Sequence, residues 1–359
     1  MATSTWRACS TRSATRTADG SSSSRTSYPR PTARQPPTSS PTANFSPPEA
    51  SDRLAALRIG LVGAGRMGRN HLRAIAGSSE VRITAVAEPA EPTRRLLSGV
   101  DASVYGSLDD MLDSAAIDAA LVCVPSDLHL VTVKRLVEAG LPTLCEKPVG
   151  VTSAESREAA AAVAAAGLPF QVGFWRRFVP ALQRLRERIA TGELGQIYCV
   201  ANFQWDGAPP GPEFRAHSGG IFIDMGVHEF DQTRWLVQQE FGEITSVAAG
   251  VAAEPWPGDH ESAHALAELS GGTTAIVSLG RRFPLGDVCK VEVFGTAGAE
   301  ECKFVWPPSA DETFFTALRT QAESFARHVR GAPLEGAGAA DAAAALGAAE
   351  RAAAQAARA

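Results

Sequence analysis

The amino-acid sequence predicts an α/β protein in two domains, an open parallel sheet followed by an α+β domain with an open, mostly antiparallel or mixed sheet. The chain has 359 residues, about right for two domains at roughly 100–200 residues each. From Leu57 short apolar runs alternate with amphipathic stretches, which is typical of βαβ units. Near Phe174 this alternation gives way to apolar residues at a period of about two, which indicates half-buried strands.

Composition and charge exclude several classes of partner. Lys and Arg number 34 against 39 Asp and Glu, a net charge of -5 with no basic block, so we expect no nucleic-acid partner. No stretch approaches the ~18 uninterrupted apolar residues of a membrane span, so we expect a soluble protein. The six cysteines contain no C-x-x-C pair, which favours a reducing compartment, the cytoplasm, without disulfides or structural zinc.

Residues 1–52 differ in composition from the rest of the chain. They are rich in Ser, Thr, Pro and Arg and lack a periodic apolar pattern, so we expect a disordered, low-complexity tail. An organellar transit peptide would share this composition. A wrongly placed start codon, or a dispensable tail, is the simpler explanation, and we assign the segment no function.

The first predicted domain covers residues 53–174. We expect its strands at Leu57–Val62, Arg82–Ala87, Ala119–Val124, Thr143–Cys145 and Pro169–Gly173. We expect its helices at Met67–Ala76, Leu130–Ala139 and Ser153–Ala166. The carboxyl ends of parallel strands meet at one edge of the sheet, where open α/β sheets bind their ligands.

The second predicted domain covers residues 175–335. A helix at Pro180–Thr191 leads into strands, and a helical stretch around Gly226–Val237 interrupts them. We expect these strands at Gln196–Trp205, Ile244–Ala252, Ala263–Leu269, Thr273–Arg281 and Val288–Phe294. The Ala-rich end, residues 336–359, should form a helix over Asp341–Ala359 that packs on the body.

A glycine-rich turn joins the first strand to the first helix. The run Gly63-Ala64-Gly65-Arg66-Met67-Gly68 has the G-x-G-x-x-G pattern. In this context the glycines permit a tight turn and close approach of a pyrophosphate, and the helix N-terminus supplies N–H donors. Such turns also arise for steric reasons alone. The placement after a strand and before a helix nevertheless predicts a Rossmann dinucleotide site.

The next strand ends at an acidic residue, Glu88. A carboxylate at this place accepts hydrogen bonds from the adenosine ribose hydroxyls and repels a 2′-phosphate, which favours NAD over NADP. Arg94 and Arg95 lie close enough in sequence to keep the phosphorylated cofactor open. An ordinary surface carboxylate is the alternative interpretation of Glu88.

Two further segments contain candidate catalytic groups. Glu146-Lys147-Pro148 follows a predicted strand at the ligand-binding edge, although an isolated Lys there could be an ordinary surface residue. Asp224 and His228 are four residues apart, which brings both onto one face if the segment is helical. A helix-capping Asp with a core His would give the same spacing.

Together these segments resemble the Gfo/Idh/MocA oxidoreductases, over about Arg58–Arg330. The resemblance rests on the glycine turn, Pro125 through His129, E-K-P, Phe174-Trp175-Arg176-Arg177-Phe178, Ser218 through His228 and Val291-Glu292-Val293-Phe294-Gly295. It implies a homodimer or homotetramer, which a sheet face without a helical cover also suggests. It implies that Lys147, Asp224 and His228 form the catalytic group and that Arg177 lies beside the substrate. The implied cofactor-binding residues are Gly63 through Met67, Glu88, Pro125, Ser126, His129, Glu146 and Lys147.

Within that family the stretch from Asp206 to Phe222 looks most like inositol 2-dehydrogenases. The segment Phe283–Lys290 lacks the tyrosines and the Tyr-Asp-Gln-Arg run of many such enzymes. Val179 replaces a common Asp, and Trp175 is bulkier than the usual residue. The expected substrate is therefore a cyclic polyol or a sugar and not necessarily myo-inositol.

The residue types are consistent with oxidation of a secondary alcohol. His228 could accept the hydroxyl proton, since an imidazole titrates near about 6.5. Asp224 could orient it, and Lys147 could stabilise the developing alkoxide. The alternatives are a redox glycosidase that retains NAD, a non-catalytic dinucleotide sensor, and a metal-dependent hydrolase, for which the sequence shows no third ligand beside Asp224 and His228. We expect no bound metal.

Overall fold

The computed structural model describes residues 55–250, 259–307 and 309–358. The tail at 1–52 lies outside the described residues, as do Val251 and Ala252 at the end of one predicted strand. The described residues form two six-stranded sheets with helices packed on them. None of the helices in these ranges is long and apolar enough to cross a membrane.

The first sheet is parallel throughout and has the strand order β3-β2-β1-β4-β5-β6. Its strands are β1 (Leu57–Val62), β2 (Val81–Ala87), β3 (Ser103–Tyr105), β4 (Ala119–Val122), β5 (Thr143–Cys145) and β6 (Phe170–Val172). The helices between them are α1 (Arg66–Ile75), α2 (Glu91–Arg95), α3 (Leu108–Ser114), α4 (His129–Glu138) and α5 (Ser153–Ala166). The strand order reverses between β1 and β4, which opens a ligand crevice at their carboxyl ends. The predicted Rossmann fold is confirmed.

The strands of the first sheet are continuous apolar runs in the sequence because they are buried. All four residues of β4 are buried, and Ile59 and Leu61 of β1 are completely buried. Strands covered on both faces lose the alternation of apolar and polar residues. The short elements β3, α2 and α3 were not predicted.

The second sheet is mixed and has the strand order β12-β11-β7-β10-β9-β8. Its strands are β7 (Ile197–Trp205), β8 (Phe241–Ala249), β9 (Ser262–Leu269), β10 (Thr274–Gly280), β11 (Val288–Gly295) and β12 (Ala299–Val305). Only the β7–β10 pair is parallel among the described pairings, so the predicted mixed sheet is confirmed. β12 was not predicted.

Three helices precede or interrupt this sheet: α6 (Pro180–Ala190), α7 (Pro212–His217) and α8 (Val227–Val237). α8 packs on one face of the sheet, where Asn202 Nδ2 of β7 donates to Thr233 Oγ1 at 2.9 Å. The predicted helices at the α6 and α8 positions are present, whereas α7 was not predicted.

The chain ends in two helices, α9 (Ala310–Val329) and α10 (Ala339–Ala356). Phe325 and Val329 of α9 pack with Ile59 and Leu61 in the core of the first sheet. α9 was not predicted. The sequence division placed its residues inside 175–335, but its buried side chains reach both sheets, because Ala317 and Leu318 pack in the core of the second sheet. α10 packs on α5 and on α8, and its bounds are close to the predicted Asp341–Ala359.

Candidate active site

The glycine-rich turn has the geometry of a pyrophosphate cradle. Gly63 has φ 90°, and a Cβ there would lie 2.8 Å from the Cys123 carbonyl oxygen. A Cβ on Gly68 would collide with the Gly63 carbonyl oxygen, whereas a Cβ on Gly65 would meet open space. No side chain caps α1, and its first turn carries no acid. The backbone N–H groups of Arg66 and Met67 are therefore placed to meet a phosphate.

Glu88 closes this turn at the end of β2. Its Oε2 accepts a hydrogen bond from the Ala64 backbone N–H at 2.7 Å, and the side chain is buried. The carboxylate therefore fixes the turn as well as standing where a ribose would lie. Arg94 and Arg95, the two cations that kept NADP open, both form ion pairs with Glu91.

The carboxylate of the E-K-P turn meets a histidine that the sequence analysis missed. His71 Nε2 lies 2.7 Å from Glu146 Oε1, and both side chains are buried. Glu146 Oε2 accepts from the Lys147 backbone N–H at 3.2 Å. His71 lies three residues after Gly68 on the buried face of α1, and a polar residue at such a position was the available signal.

His129 ties two turns together at the carboxyl edge of the sheet. Its Nδ1 lies 2.6 Å from the Pro148 carbonyl oxygen and its Nε2 lies 2.9 Å from the Val124 carbonyl oxygen. Burial lowers the pKa of His129, so the ring is neutral and donates through one nitrogen at a time. Pro125 and the 3₁₀ turn Ser126–Leu128 connect these two places, at the edge where the cofactor residues were predicted.

Lys147 and Asp224 form the centre of the site. Lys147 Nζ donates to the Asp224 carbonyl oxygen at 2.7 Å and lies 3.4 Å from Asp224 Oδ1. Asp224 belongs to a π-helical turn, Phe222–Gly226, that runs into α8. Such turns insert one extra residue and are frequent at functional sites. The two glycines before it, Gly219 and Gly220, have φ 77° and 87°, which other residues rarely adopt.

His228 stands in the first turn of α8. Its ring packs edge-on against Phe174 and Trp175, with ring centroids 6.0 and 6.4 Å apart. Burial lowers the pKa of His228 well below its ordinary value, and the positive charges of Lys147 and Arg176 lower it further. The imidazole is therefore neutral at neutral pH. Lys147 thus contacts Asp224 and lies close enough to His228 for its charge to act on the imidazole.

Arg177 is buried and forms ion pairs. Its guanidinium donates to Asp231 Oδ1 at 2.6 Å and lies 3.3 Å from Asp341, and the side chain is buried. These contacts tie the segment after β6 to α8 and to the start of α10. Arg177 is therefore held by two carboxylates, and its expected position beside the substrate stays a prediction.

Two further charged groups adjoin the site and were missed by the sequence analysis. Arg281, directly after β10, places Nη1 3.2 Å from Asp224 Oδ2. Asp206, directly after β7, has its pKa raised to about 6 by burial and by the negative charges of Asp287 and Asp224. The site is therefore bordered by a carboxyl group that changes charge in the physiological range.

The described residues contain no group of three or more His, Cys, Asp and Glu side chains that could hold a metal ion. The five described cysteines are free thiols.

The fold and the site define a Rossmann protein with a polar cluster at the cofactor edge. Residues 57–174 match the family model described as "Oxidoreductase family, NAD-binding Rossmann fold", and residues 182–300 match "GFO/IDH/MocA C-terminal domain". The chain belongs to the Gfo/Idh/MocA oxidoreductase family, as the resemblance implied, and it carries an NAD-binding Rossmann domain.

Similar proteins include the "Rhizopine catabolism protein MocA" of Rhizobium meliloti, 48% identical over 302 residues that cover 83% of this chain and 95% of the relative. An "Inositol 2-dehydrogenase" of Rhizobium meliloti (strain 1021) is 32% identical over 68% of this chain and 74% of that protein. The crystal structure of a myo-inositol dehydrogenase from Corynebacterium glutamicum superimposes with a TM-score of 0.75 at 26% identity, over 84% of this chain and 97% of the other.

Proposed function

We propose that this protein is an NAD-dependent dehydrogenase acting on a secondary alcohol of a cyclic polyol or sugar. The observation that carries the proposal is the placement of Lys147 and Asp224, with His228 beside them, at the ligand-binding edge of an NAD-binding Rossmann sheet. The similarity to an inositol 2-dehydrogenase and to a rhizopine catabolism protein supports the substrate class.

The residues at the glycine turn fit NAD. The uncapped N-terminus of α1 would hold the pyrophosphate, with the turn Gly63–Met67 beneath it. The buried Glu88 carboxylate would accept from the ribose hydroxyls and repel a 2′-phosphate, so we propose NAD in preference to NADP. NAD, when bound, accepts the hydride that leaves the carbinol carbon.

Lys147 supplies the charge that the reaction needs. Its ammonium has three donors, of which two are directed at Asp224, so one is left for the substrate oxygen. The positive charge stabilises the negative charge that develops on that oxygen as its proton leaves. Asp224 holds the ammonium in place and can accept from a neighbouring hydroxyl.

His228 is the proposed proton acceptor. Because its pKa is lowered, the ring is neutral before the reaction and can take the hydroxyl proton. The same low pKa disfavours the imidazolium, so His228 releases the proton again to solvent. The aromatic rings of Phe174 and Trp175 fix the orientation of the imidazole.

The segment Phe283–Lys290 favours a substrate other than myo-inositol. In the segment that lacks the expected tyrosines, Phe283 packs on Trp205 with ring centroids 5.3 Å apart, and Asp287 Oδ1 accepts from the Gly207 N–H at 2.8 Å. The aromatic side chain of this segment therefore has no hydroxyl to offer a substrate. Rhizopine is therefore the second candidate substrate, because the relative 48% identical is a rhizopine catabolism protein.

We also propose a homo-oligomer in the cytoplasm. On the face of the second sheet opposite α8, Leu266 and Val247 are 57% and 53% exposed. Exposed apolar side chains on one sheet face favour association with a second copy. Light scattering of the purified protein tests this, and a monomer at all concentrations would contradict it. The free thiols are the observation that supports the assignment to the cytoplasm.

The test is the absorbance of reduced nicotinamide with NAD or NADP against myo-inositol, scyllo-inositol, rhizopine, glucose, galactose and several alditols. We expect turnover with NAD and at least one cyclic polyol or its derivative. Bound NAD without turnover on any of them would instead favour the redox glycosidase or the non-catalytic sensor. A glycosidase would be recognised by release of the aglycone from a chromogenic glycoside.

A further inference from the structure

Arg281 has the largest fully buried side chain in the described part of the structure. A buried guanidinium is stable only when carboxylates surround it. Its partners are Asp224, with Nη1 to Oδ2 at 3.2 Å, and Asp259, with Nε to Oδ2 at 3.3 Å. Arg281 therefore spans from the candidate catalytic carboxylate to a second buried carboxylate.

The two oxygens of Asp224 are shared between two cations. Oδ1 lies 3.4 Å from Lys147 Nζ, and Oδ2 lies 3.2 Å from Arg281 Nη1. This division fixes the plane of the carboxylate. Without Arg281, Asp224 could rotate and place both oxygens on Lys147, which would take the ammonium away from the substrate.

Asp259 connects Arg281 to α7. Asp259 Oδ2 accepts from Arg215 Nε at 2.8 Å, and Arg215 Nη1 lies 3.0 Å from Glu261 Oε1. Arg215 belongs to α7. Charges thus alternate in an unbroken chain from Lys147 through Asp224, Arg281, Asp259 and Arg215 to Glu261.

We propose that Arg281 is a positioning residue. It holds one carboxylate oxygen of Asp224 away from Lys147, and Asp259 holds Arg281 in this position. The inference rests on the proposed dehydrogenase function and adds a residue to its machinery. Arg281 is completely buried and acts through Asp224, so it is not itself a catalytic residue.

The test compares Arg281→Ala and Arg281→Lys with Arg188→Ala, which removes a guanidinium paired with Glu193 outside this chain of charges. Misplacing a catalytic group by about 1 Å costs roughly 10²-fold, and we expect a loss of that size in kcat for Arg281→Ala with unchanged NADH affinity. Arg281→Lys keeps the charge but cannot span both carboxylates, so its kcat should lie between those of the wild type and Arg281→Ala. Arg188→Ala should keep the wild-type kcat.

Added guanidinium ion provides a readout that a purely structural role would not move. It should restore part of the kcat of Arg281→Ala and none of the kcat of Lys147→Met. If Arg281→Ala does not fold, Asp259→Asn serves in its place and should also lower kcat. Wild-type kcat in a folded Arg281→Ala or Asp259→Asn variant would overturn the proposal.

A crystal structure of Arg281→Ala, or of Arg281→Lys if the alanine variant does not fold, separates this inference from the proposed function. We expect Asp224 Oδ2 to turn toward Lys147 Nζ whether or not a substrate is known. An unchanged Asp224 carboxylate would overturn the positioning role, whereas a wild-type protein inactive on every alcohol would overturn only the dehydrogenase proposal.

Discussion

His71 and Glu146 form a buried pair, with Nε2 and Oε1 2.7 Å apart, that joins α1 to the E-K-P turn. The helix that follows the glycine turn and the turn that carries Lys147 are thereby held at a fixed distance. The pair links the two halves of the site, because one half would hold the pyrophosphate and the other would act on the substrate.

Replacing His71 with Leu should destabilise the fold strongly. The change leaves the Glu146 carboxylate buried without its imidazole partner, and breaking a buried pair in this way costs about 3–5 kcal/mol. The measurement is urea unfolding. The double variant His71→Leu/Glu146→Gln removes the uncompensated charge and should recover part of the loss. A single variant as stable as wild type would show that the pair contributes little.

Lys147→Met should remove most turnover and leave NAD affinity nearly intact. The methionine fills a similar volume but supplies neither charge nor donor to the substrate oxygen, and such electrostatic stabilisation is worth roughly 10²–10³ in kcat. Steady-state kinetics and NADH fluorescence titration measure the two quantities. Lys134→Met, which removes an exposed ion pair with Glu158, is the matched control. Near-normal turnover of Lys147→Met would refute the assignment.

Glu88→Ser should weaken NAD binding and improve the relative use of NADP. The serine removes the charge that repels a 2′-phosphate and also removes the acceptor of the Ala64 N–H. Ratios of kcat/KM for the two cofactors report the change. Glu138→Ser, which removes an exposed carboxylate at the end of α4, serves as the control. Equal ratios in Glu88→Ser and wild type would remove Glu88 from cofactor selection.

Acidification should destabilise the fold through His228. Burial lowers its folded pKa, so the unfolded chain binds this proton first as the pH drops below about 6.5. The stabilisation is complete above that pH and is lost progressively as the pH falls toward the folded pKa. His129, whose pKa is also lowered, acts with the same sign.

Asp206 has the opposite effect on the pH dependence of stability, so its contribution can be distinguished from that of His228. Its pKa is raised to about 6, so the folded protein gains stability as the pH falls from there toward the ordinary range of a carboxyl group. Unfolding midpoints measured across this range should fall more steeply with acid in Asp206→Asn and less steeply in His228→Gln. Parallel curves for all three proteins would contradict both assignments.

The sequence predicted the sheets better than the site, because a buried strand shows in the apolar pattern of one short segment and a side-chain contact outside a motif does not. β1 and β4 are apolar runs that the chain itself displays, whereas β12 carries charged residues on its outer face and α9 mixes polar residues into its buried stripe. Lys147 and Asp224 stand in recognisable motifs. His71 and Arg281 stand outside any motif, so nothing in the local sequence marks their contacts, and their partners lie 75 and 57 residues away. Such pairings exist only once the chain has folded.

The return of α9 to the first sheet sets an order on biosynthesis. Phe325 and Val329 cover Ile59 and Leu61, which leave the ribosome more than two hundred residues earlier. The part of this sheet face that α9 covers therefore stays exposed while the whole second sheet is translated, although α1 already covers another part. Until the last two helices emerge, that face is a natural binding site for a chaperone.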